Sequence, residues 1–336
     1  MKHSLLITAS LAFAVFSISP SAAEEDTPVF GKVTTTKKTA IKAAPQAHAP
    51  TTGVANADAE LRWIRGETKG KYVRVMVPKG PIGWVLEADV NKIAAPDLTG
   101  IALEGSAQPC VSPETLNACT TKKPSGCSAP DSAHGVVNRM KRTVPAQGPA
   151  ITVTFDTFSQ LQTAAVESVD QGVEIDPTDR ELIKSGSIQT TEGKLGEGDR
   201  VRLVAFLSDG TPHPNTGESV NCNLKTEANN DIHISVTERK DGSEFEGIVV
   251  EMIPQNRPAK WTSDNVDDLH GKVLLIEGAL FYDNLHFPND NPKHPLKGQP
   301  KRFSLWEIHP ITSVKVCKKA AASQCDPDRA ADWKNF

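Results

Sequence analysis

The run FSLWEIHPITSVKVC, residues 303–317, sets Glu307 and His309 two positions apart in a strand-like stretch beside Trp306. Side chains two apart on a strand share a face, so a carboxylate and an imidazole stand together. Other polar residues interrupt apolar runs upstream. His233 lies between Ile232 and Ile234, Glu251 breaks IVVEMI, and Tyr282, Asp283 and His286 close a fourth apolar run. Three chemistries suit this set. First, His233, His286 and His309, with Glu251 and Glu307, would hold Zn²⁺ or Mn²⁺, and an open coordination position would activate water for hydrolysis. In that case His233, Glu251, His286, Glu307 and His309 are the catalytic candidates. Second, the same residues would line a ligand patch. Third, the acids would pair with a histidine or with Arg302, which neutralises buried charge and fixes strand register. The third is the expected one, with no metal or cofactor. No H-x-H or H-E-x-x-H spacing occurs, and no G-x-S-x-G, P-loop or G-x-G-x-x-G.

Five strand-like runs must position these residues: EGDRVRLVAFLSDG, NDIHISVTE, EGIVVEMIP, GKVLLIEGALFYD and RFSLWEIHPITSVKVC. They alternate in part and are separated by Gly, Asn, Asp and Pro clusters. Five strands, with a helix or loop between the third and fourth, predict an OB-like Greek-key barrel with a few short helices over residues 150–318. Gly278 inside its run would relieve a sharp bend. Ahead of the five come a strand, AITVTF, and two helices. DTFSQLQTAAV is expected to be capped by Asp156, and DPTDRELIKSG to open at Asp176-Pro177 and stop at Gly186.

Nearer the start, ELRWIRGE, KYVRVMVPKG and PIGWVLEADV are short strands, with Tyr72, Arg74 and Met76 alternating with Val73, Val75 and Val77. Few hydrophobics on short strands predict a small barrel over 28–95. Trp63, Tyr72 and Trp84 are its ligand-binding candidates, although Trp84 reads first as a core anchor, which the strand after it needs. Residues 96–149 are rich in Pro, Ser, Thr, Ala and Gly and carry three of the six cysteines, which predicts a linker ordered by disulfides. Within it, AHGVVNRMKRTVP sets His134, Asn138, Lys141 and Arg142 on a short helix, read as a solvated face. Residues 319–336 read as a C-terminal tail. The fold class is mainly β.

Bulk properties narrow the partners. The chain has 336 residues, 38% of them hydrophobic, and a formal charge of −4. That suits two modest domains with a linker and makes a poor general polyanion binder, so nucleic acid is not an expected partner. Lys293, Lys297, Lys301 and Arg302 in NPKHPLKGQPKR, and the stretch RPAKW, are read as solvated loops. Residues 1–23, MKHSLLITASLAFAVFSISPSAA, have the cationic front, apolar stretch and small-residue end of a signal peptide, with cleavage expected after Ala23. The apolar stretch is short for a membrane span, so the mature chain is expected to be periplasmic or secreted, with no transmembrane segment. Cys110, Cys119, Cys127, Cys222, Cys317 and Cys325 fit that address as disulfides. Cys317 would pair with Cys325, Cys110 with Cys119 or Cys127, and Cys222 with the one left over.

Two stretches resemble known families. TAIKAAPQAHAPTTGVANADAELRWIRGETKGKYVRVMVPKGPIGWVLEADV resembles the bacterial SH3 domain (SH3b). The closing Gly83-Trp84-Val85 is intact, while Ala40, Ile41 and Lys42 stand where that family has Asn-Val-Arg. The resemblance implies an SH3-like barrel that binds cell-wall or peptide ligands. NDIHIS, IVVEM, EGALFYDNLH and LWEIHPI, with SGCSAPDSAHGVVNRMKRTVP and ITVTFDTFSQLQ upstream, resemble an uncharacterised family of exported bacterial proteins with a D-x-H-I, F-Y-D-x-x-H and W-E-I-H-P motif set. That resemblance runs from about Gly126 to Cys317 and implies export but no reaction. The expected function is an exported, non-enzymatic binding protein of the cell envelope, with peptidoglycan or an envelope peptide as partner through the SH3-like barrel. The alternatives are a metal-dependent hydrolase and a nucleic-acid-binding OB barrel.

Overall fold

A computed structural model describes residues 30–93, 113–215, 217–296, 298–319 and 321–336. The expected signal peptide, Cys110 and Lys297 lie outside the described residues.

The first seven strands are β1 (Phe30–Thr35), β2 (Thr39–Lys42), β3 (Thr51–Ala55), β4 (Glu60–Lys69), β5 (Tyr72–Met76), β6 (Ile82–Leu86) and β7 (Val90–Ile93). They form one sheet in the order β3-β2-β6-β5-β4-β1-β7 around Val33, Ile41, Leu61, Val73, Val75 and Val85. The expected strands are present as β4, β5 and β6. The hairpin β2–β3 is additional. Its residues TAIK and TTGVA offer one large aliphatic side chain, Ile41, which is fully buried.

The segment expected to be a linker instead builds, within its described part, helices α1 (Leu116–Lys122) and α2 (Ala133–Lys141). Thr115 and Ser132 cap them by accepting from Ala118 N–H and Gly135 N–H. After β8 (Ile151–Val153) comes α3 (Phe155–Ser168), which buries Phe158, Leu161 and Ala165 as its spacing predicts. Its cap is Thr154 and not Asp156. Thr154 and Thr157 exchange side-chain and backbone hydrogen bonds in a capping box, and Asp156 falls in the first turn, where its charge suits the helix dipole. Helix α4 (Pro177–Arg180) is capped by Asp176 as expected. Its Arg180 is buried against Glu197 and also donates to Asn284 and to the Tyr282 carbonyl. The small hairpin β9 (Ile188–Thr190) and β10 (Gly193–Leu195) follows.

Five strands then close a barrel. They are β11 (Arg200–Leu207), β13 (Ile232–Thr237), β14 (Ile248–Met252), β15 (Leu274–Tyr282) and β16 (Trp306–Cys317). β12 (His213–Pro214) pairs with β13, and α5 (Ser263–Asp267) lies between β14 and β15. Around the barrel the order is β11-β13-β14-β16-β15 and back to β11, antiparallel except at β14–β16, which is parallel through Val250 and Ile308. All five expected strands are present. Alternation sends Ile232, Ile234, Val250, Met252, Leu280, Tyr282, Trp306 and Ile308 into the core. β17 (Trp333–Asn335) pairs with the end of β16, so the expected tail returns to the sheet.

Cys317 is bonded to Cys325, and Cys222 to the linker residue Cys119; Cys127 is also disulfide-bonded. The stretch 283–305 joins β15 to β16 and also meets the first sheet, because Phe287 and Leu296 pack with Ile64 and Met76. Arg62 pairs with Asp170 at 2.8 Å beside this contact.

Gly278 sits where the β15–β16 register shifts, as its expected role at a bend requires, and a Cβ there would lie 2.2 Å from the Pro310 carbonyl oxygen. Because the obstacle is backbone, Gly278→Ala is expected to cost about 2–3 kcal/mol. Urea unfolding of the two proteins measures this, and an unchanged midpoint would contradict it.

Candidate functional site

Val250 and Ile308 form the registered pair of the parallel β14–β16 seam and point inward. Their neighbours Glu251, Glu307 and His309 must therefore point to the outer side of the barrel. That side is not solvent. α2 and the stretch 217–231 cover it, held by the Cys119–Cys222 bond and by the buried Asn138, which donates to Ser125 and Ser219. The polar face of α2 is thus an interface and not a solvated face. His134 Nε2 lies 2.7 Å from Ser219 Oγ, and Arg142 donates to the Lys123 carbonyl at 2.8 Å.

His309 is at the centre, with its side chain 0% exposed. Nε2 is 3.3 Å from Asp231 Oδ2, and Nδ1 is 3.4 Å from both Glu251 Oε2 and Glu307 Oε2. Neither ring nitrogen makes a hydrogen bond at these separations, and Phe281 meets the ring edge-on at 5.4 Å. The other oxygen of Glu307 accepts from Arg302 Nη1, while Arg302 Nη2 donates to Asp283 Oδ2 at 2.7 Å. His286 Nδ1 lies 2.6 Å from that same Asp283 oxygen. From the cover, Lys141 approaches Glu218 at 3.8 Å, and Asn221 donates to Asp231 Oδ1 at 2.9 Å.

Four of the five predicted candidates therefore lie on one polar chain: His286, Glu307, His309 and Glu251, linked through Asp283 and Arg302. The fifth, His233, stands opposite Glu251 in the ladder, but its ring stacks on His213 at 4.9 Å. The three histidines of the metal alternative do not meet at one point. Within the described residues, the group whose ligand atoms converge is Asp231, Glu251 and His309. Asp231, the acid of the D-x-H-I motif, precedes the strand and is not among the sequence candidates, although it is two residues before His233 and so on the same face. Lys141 and Glu218 come from the cover, and nothing in their local sequence marks them. Arg302, expected in a solvated loop, is fully buried, and Lys301 pairs with Glu244 at 2.7 Å. In RPAKW, Arg257 donates to the Asn230 carbonyl at 2.7 Å.

The field inside the cluster is strong. Burial alone would lower the His309 pKa, but Glu251, Asp231 and Glu307 outweigh it and push the imidazole up to about 10. Burial, together with Glu307 and Glu218 and against the pull of His309 and Lys141, pushes Glu251 up to about 8. Burial and then Asp231 push Glu218 up to about 7. Asp283 goes the other way: His286 and Arg302 overcome its burial and hold it well below the usual carboxylate range. Lys141 is held above its ordinary value, since Glu251 and Glu218 outweigh its burial.

The proposed ligand residues of the first sheet are differently placed. Tyr72 and Trp84 are buried, and Trp84 is covered by Arg74 at 5.4 Å and His294 at 6.4 Å. Trp63 is partly exposed, with Lys92 4.4 Å above its ring.

No family model matches the chain, and no curated protein or solved structure is significantly similar to it. The two resemblances therefore rest on the residues quoted for them.

Arg302 is fully buried between two carboxylates, so Arg302→Met leaves Asp283 and Glu307 buried and short of a partner. The expected loss is about 3–5 kcal/mol, read from urea unfolding. A second expectation concerns pH in cation-free buffer. Folded Glu251 and His309 keep protons that the unfolded chain sheds above its ordinary carboxylate and imidazole values. Stability conferred by these groups is therefore complete at low pH and is lost as pH rises towards about 8 for Glu251 and about 10 for His309. The melting temperature is expected to fall between pH 6 and pH 10, and His309→Gln to flatten the upper part of that decline. A slope identical in both proteins would show that His309 carries none of it.

Proposed function

We propose that the chain is an exported, non-enzymatic binding protein of the cell envelope. In this reading the first sheet is an SH3-like module that takes a peptide or cell-wall ligand, and the second barrel is an OB-like scaffold. The observation that carries the reading is burial. Glu307 and His309 side chains are 1% and 0% exposed under a disulfide-tied cover. Such enclosure supports a role in holding strands together over one in turnover. The disulfides suit an oxidising, extracytoplasmic compartment, and no helix among the described residues is long and apolar enough to cross a membrane.

The OB-like assignment is supported by the strand order, first-second-third-fifth-fourth and back to the first, with the third and fifth parallel. Ligands of such barrels use the outer face of strands two and three. Here that face carries Glu251 and Asp231 and is covered by α2, which weighs against nucleic acid as the partner. The SH3-like assignment is supported by the short antiparallel strands and by Gly83-Trp84-Val85 on β6. Of the three aromatic candidates, Trp63 is the one that keeps partial exposure, with Lys92 4.4 Å above its ring.

Retention of the full chain on purified peptidoglycan sacculi tests this. Wild type is expected to be retained, Glu307→Gln to behave alike if folded, and Trp63→Ala to lose about 1–2 kcal/mol of binding. Wild-type retention no better than that of an unrelated acidic protein would reject the reading.

A further inference from the structure

Beyond the binding reading, and independently of it, the outer face of the β14–β16 seam has the composition and spacing of a buried cation site. Asp231, Glu251, Glu307 and His309 are each at least nine-tenths buried. Within this group, Asp231 Oδ2, Glu251 Oε2, Glu307 Oε2 and both ring nitrogens of His309 make no hydrogen bond. If His309 were simply a cation clamped by three acids, charge-assisted contacts of about 2.7–2.9 Å would be the norm. The observed separations are 3.3 and 3.4 Å. Bonds of about 2.0–2.2 Å to a shared ion put neighbouring ligand atoms about 2.9–3.5 Å apart, and one ligand atom from each of Asp231, Glu251 and His309 lies within 4.8 Å of the other two.

The two nitrogens also have separate surroundings. Nδ1 faces Glu251 and Glu307, and Nε2 faces Asp231. A ligating histidine ordinarily gives its second N–H to a carboxylate, which fixes the tautomer. Glu307 faces Nδ1 at 3.4 Å, in position to receive it, and is itself oriented, since its other oxygen accepts from Arg302. Asp231 is likewise oriented by Asn221 at 2.9 Å. Glu218, Asp231, Glu251, Asp283 and Glu307 share this region with Lys141, Arg302 and His286, while Arg142 and Arg257 act on Asp231. We infer that Asp231, Glu251 and one ring nitrogen of His309 bind one divalent cation, with Glu307 holding the imidazole in the ligating tautomer from the Nδ1 side. One imidazole nitrogen with two carboxylates suits Mn²⁺ or Zn²⁺. The ion has a structural role: it joins β14 to β16 at their parallel pair.

The test uses the full chain, stripped with EDTA, returned to metal-free buffer and titrated separately with Mn²⁺ and with Zn²⁺. One equivalent of at least one of these ions is expected by elemental analysis, with a rise in melting temperature of several degrees. Glu251→Gln and Asp231→Asn are each expected to abolish the rise, and Glu307→Gln to weaken affinity about 10–100-fold. His213→Ala, which alters an exposed imidazole outside the group, is expected to leave both readouts unchanged. Stripped wild type that takes up neither ion, or that binds one with no change in melting, overturns the inference. So does uptake that survives Glu251→Gln undiminished. Should Glu251→Gln not fold, Asp231→Asn with the same readouts decides.

Discussion

The closure of the second barrel depends on the junction between β14 and β16. Four of the five strand pairs around the barrel are antiparallel, and the fifth is parallel with Val250 and Ile308 as its registered pair. A seam with so little ladder needs its side chains to hold it. On the inner side these are aliphatic. On the outer side the residues flanking that pair are Glu251, Glu307 and His309, and each reaches a group on another part of the chain. The imidazole spans from β16 to β14 and to Asp231 at the start of β13. Arg302 and Asp283 tie the ends of β16 and β15. Polar contacts that would contribute little on a surface become decisive here because water is excluded and each partner's removal strands a charge.

That exclusion is the work of the segment ahead of the barrel and of the stretch 217–231. Neither has a large apolar core of its own. The cover is held by Cys119–Cys222, which joins residues 103 apart in sequence, and by polar contacts around Ser219 and Asn138. Gly126 packs so close to Ser219 that a Cβ would lie 2.0 Å from its carbonyl oxygen. In a chain with modest hydrophobic supply, a covalent tie across a long loop substitutes for burial, since it removes freedom from the unfolded state. The cover brings Lys141 and Glu218 to the cluster, so the site is shared by parts far apart in the chain.

What could be read from residue order follows the same division. The five barrel strands were legible because alternation in runs such as NDIHISVTE and GKVLLIEGALFYD is a local signal. Gly278 was legible because a glycine inside an apolar strand has few other uses. Glu307 and His309 were legible as a same-face pair for the same reason. By contrast, β2 and β3 were missed, since TAIK and TTGVA contain little that is apolar beyond Ile41. Asp156 reads as the α3 cap because its residue type caps helices, and the reciprocal Thr154–Thr157 bonding is what overrules it. Lys141 reads as a solvated charge because burial is a tertiary fact, whereas the pairing of Arg302 with an acid was legible and is present with Glu307. A lysine at the end of a short amphipathic helix looks the same whether water or four carboxylates lie beyond it.

The stretch 283–305 serves two masters. Its ends carry Asp283 and Arg302, which belong to the charge cluster, and its middle carries Phe287, His294 and Leu296, which rest against the first sheet. A substitution that loosens Phe287 or Leu296 from the first sheet therefore falls on the same length of chain that carries the buried guanidinium and one of its acids.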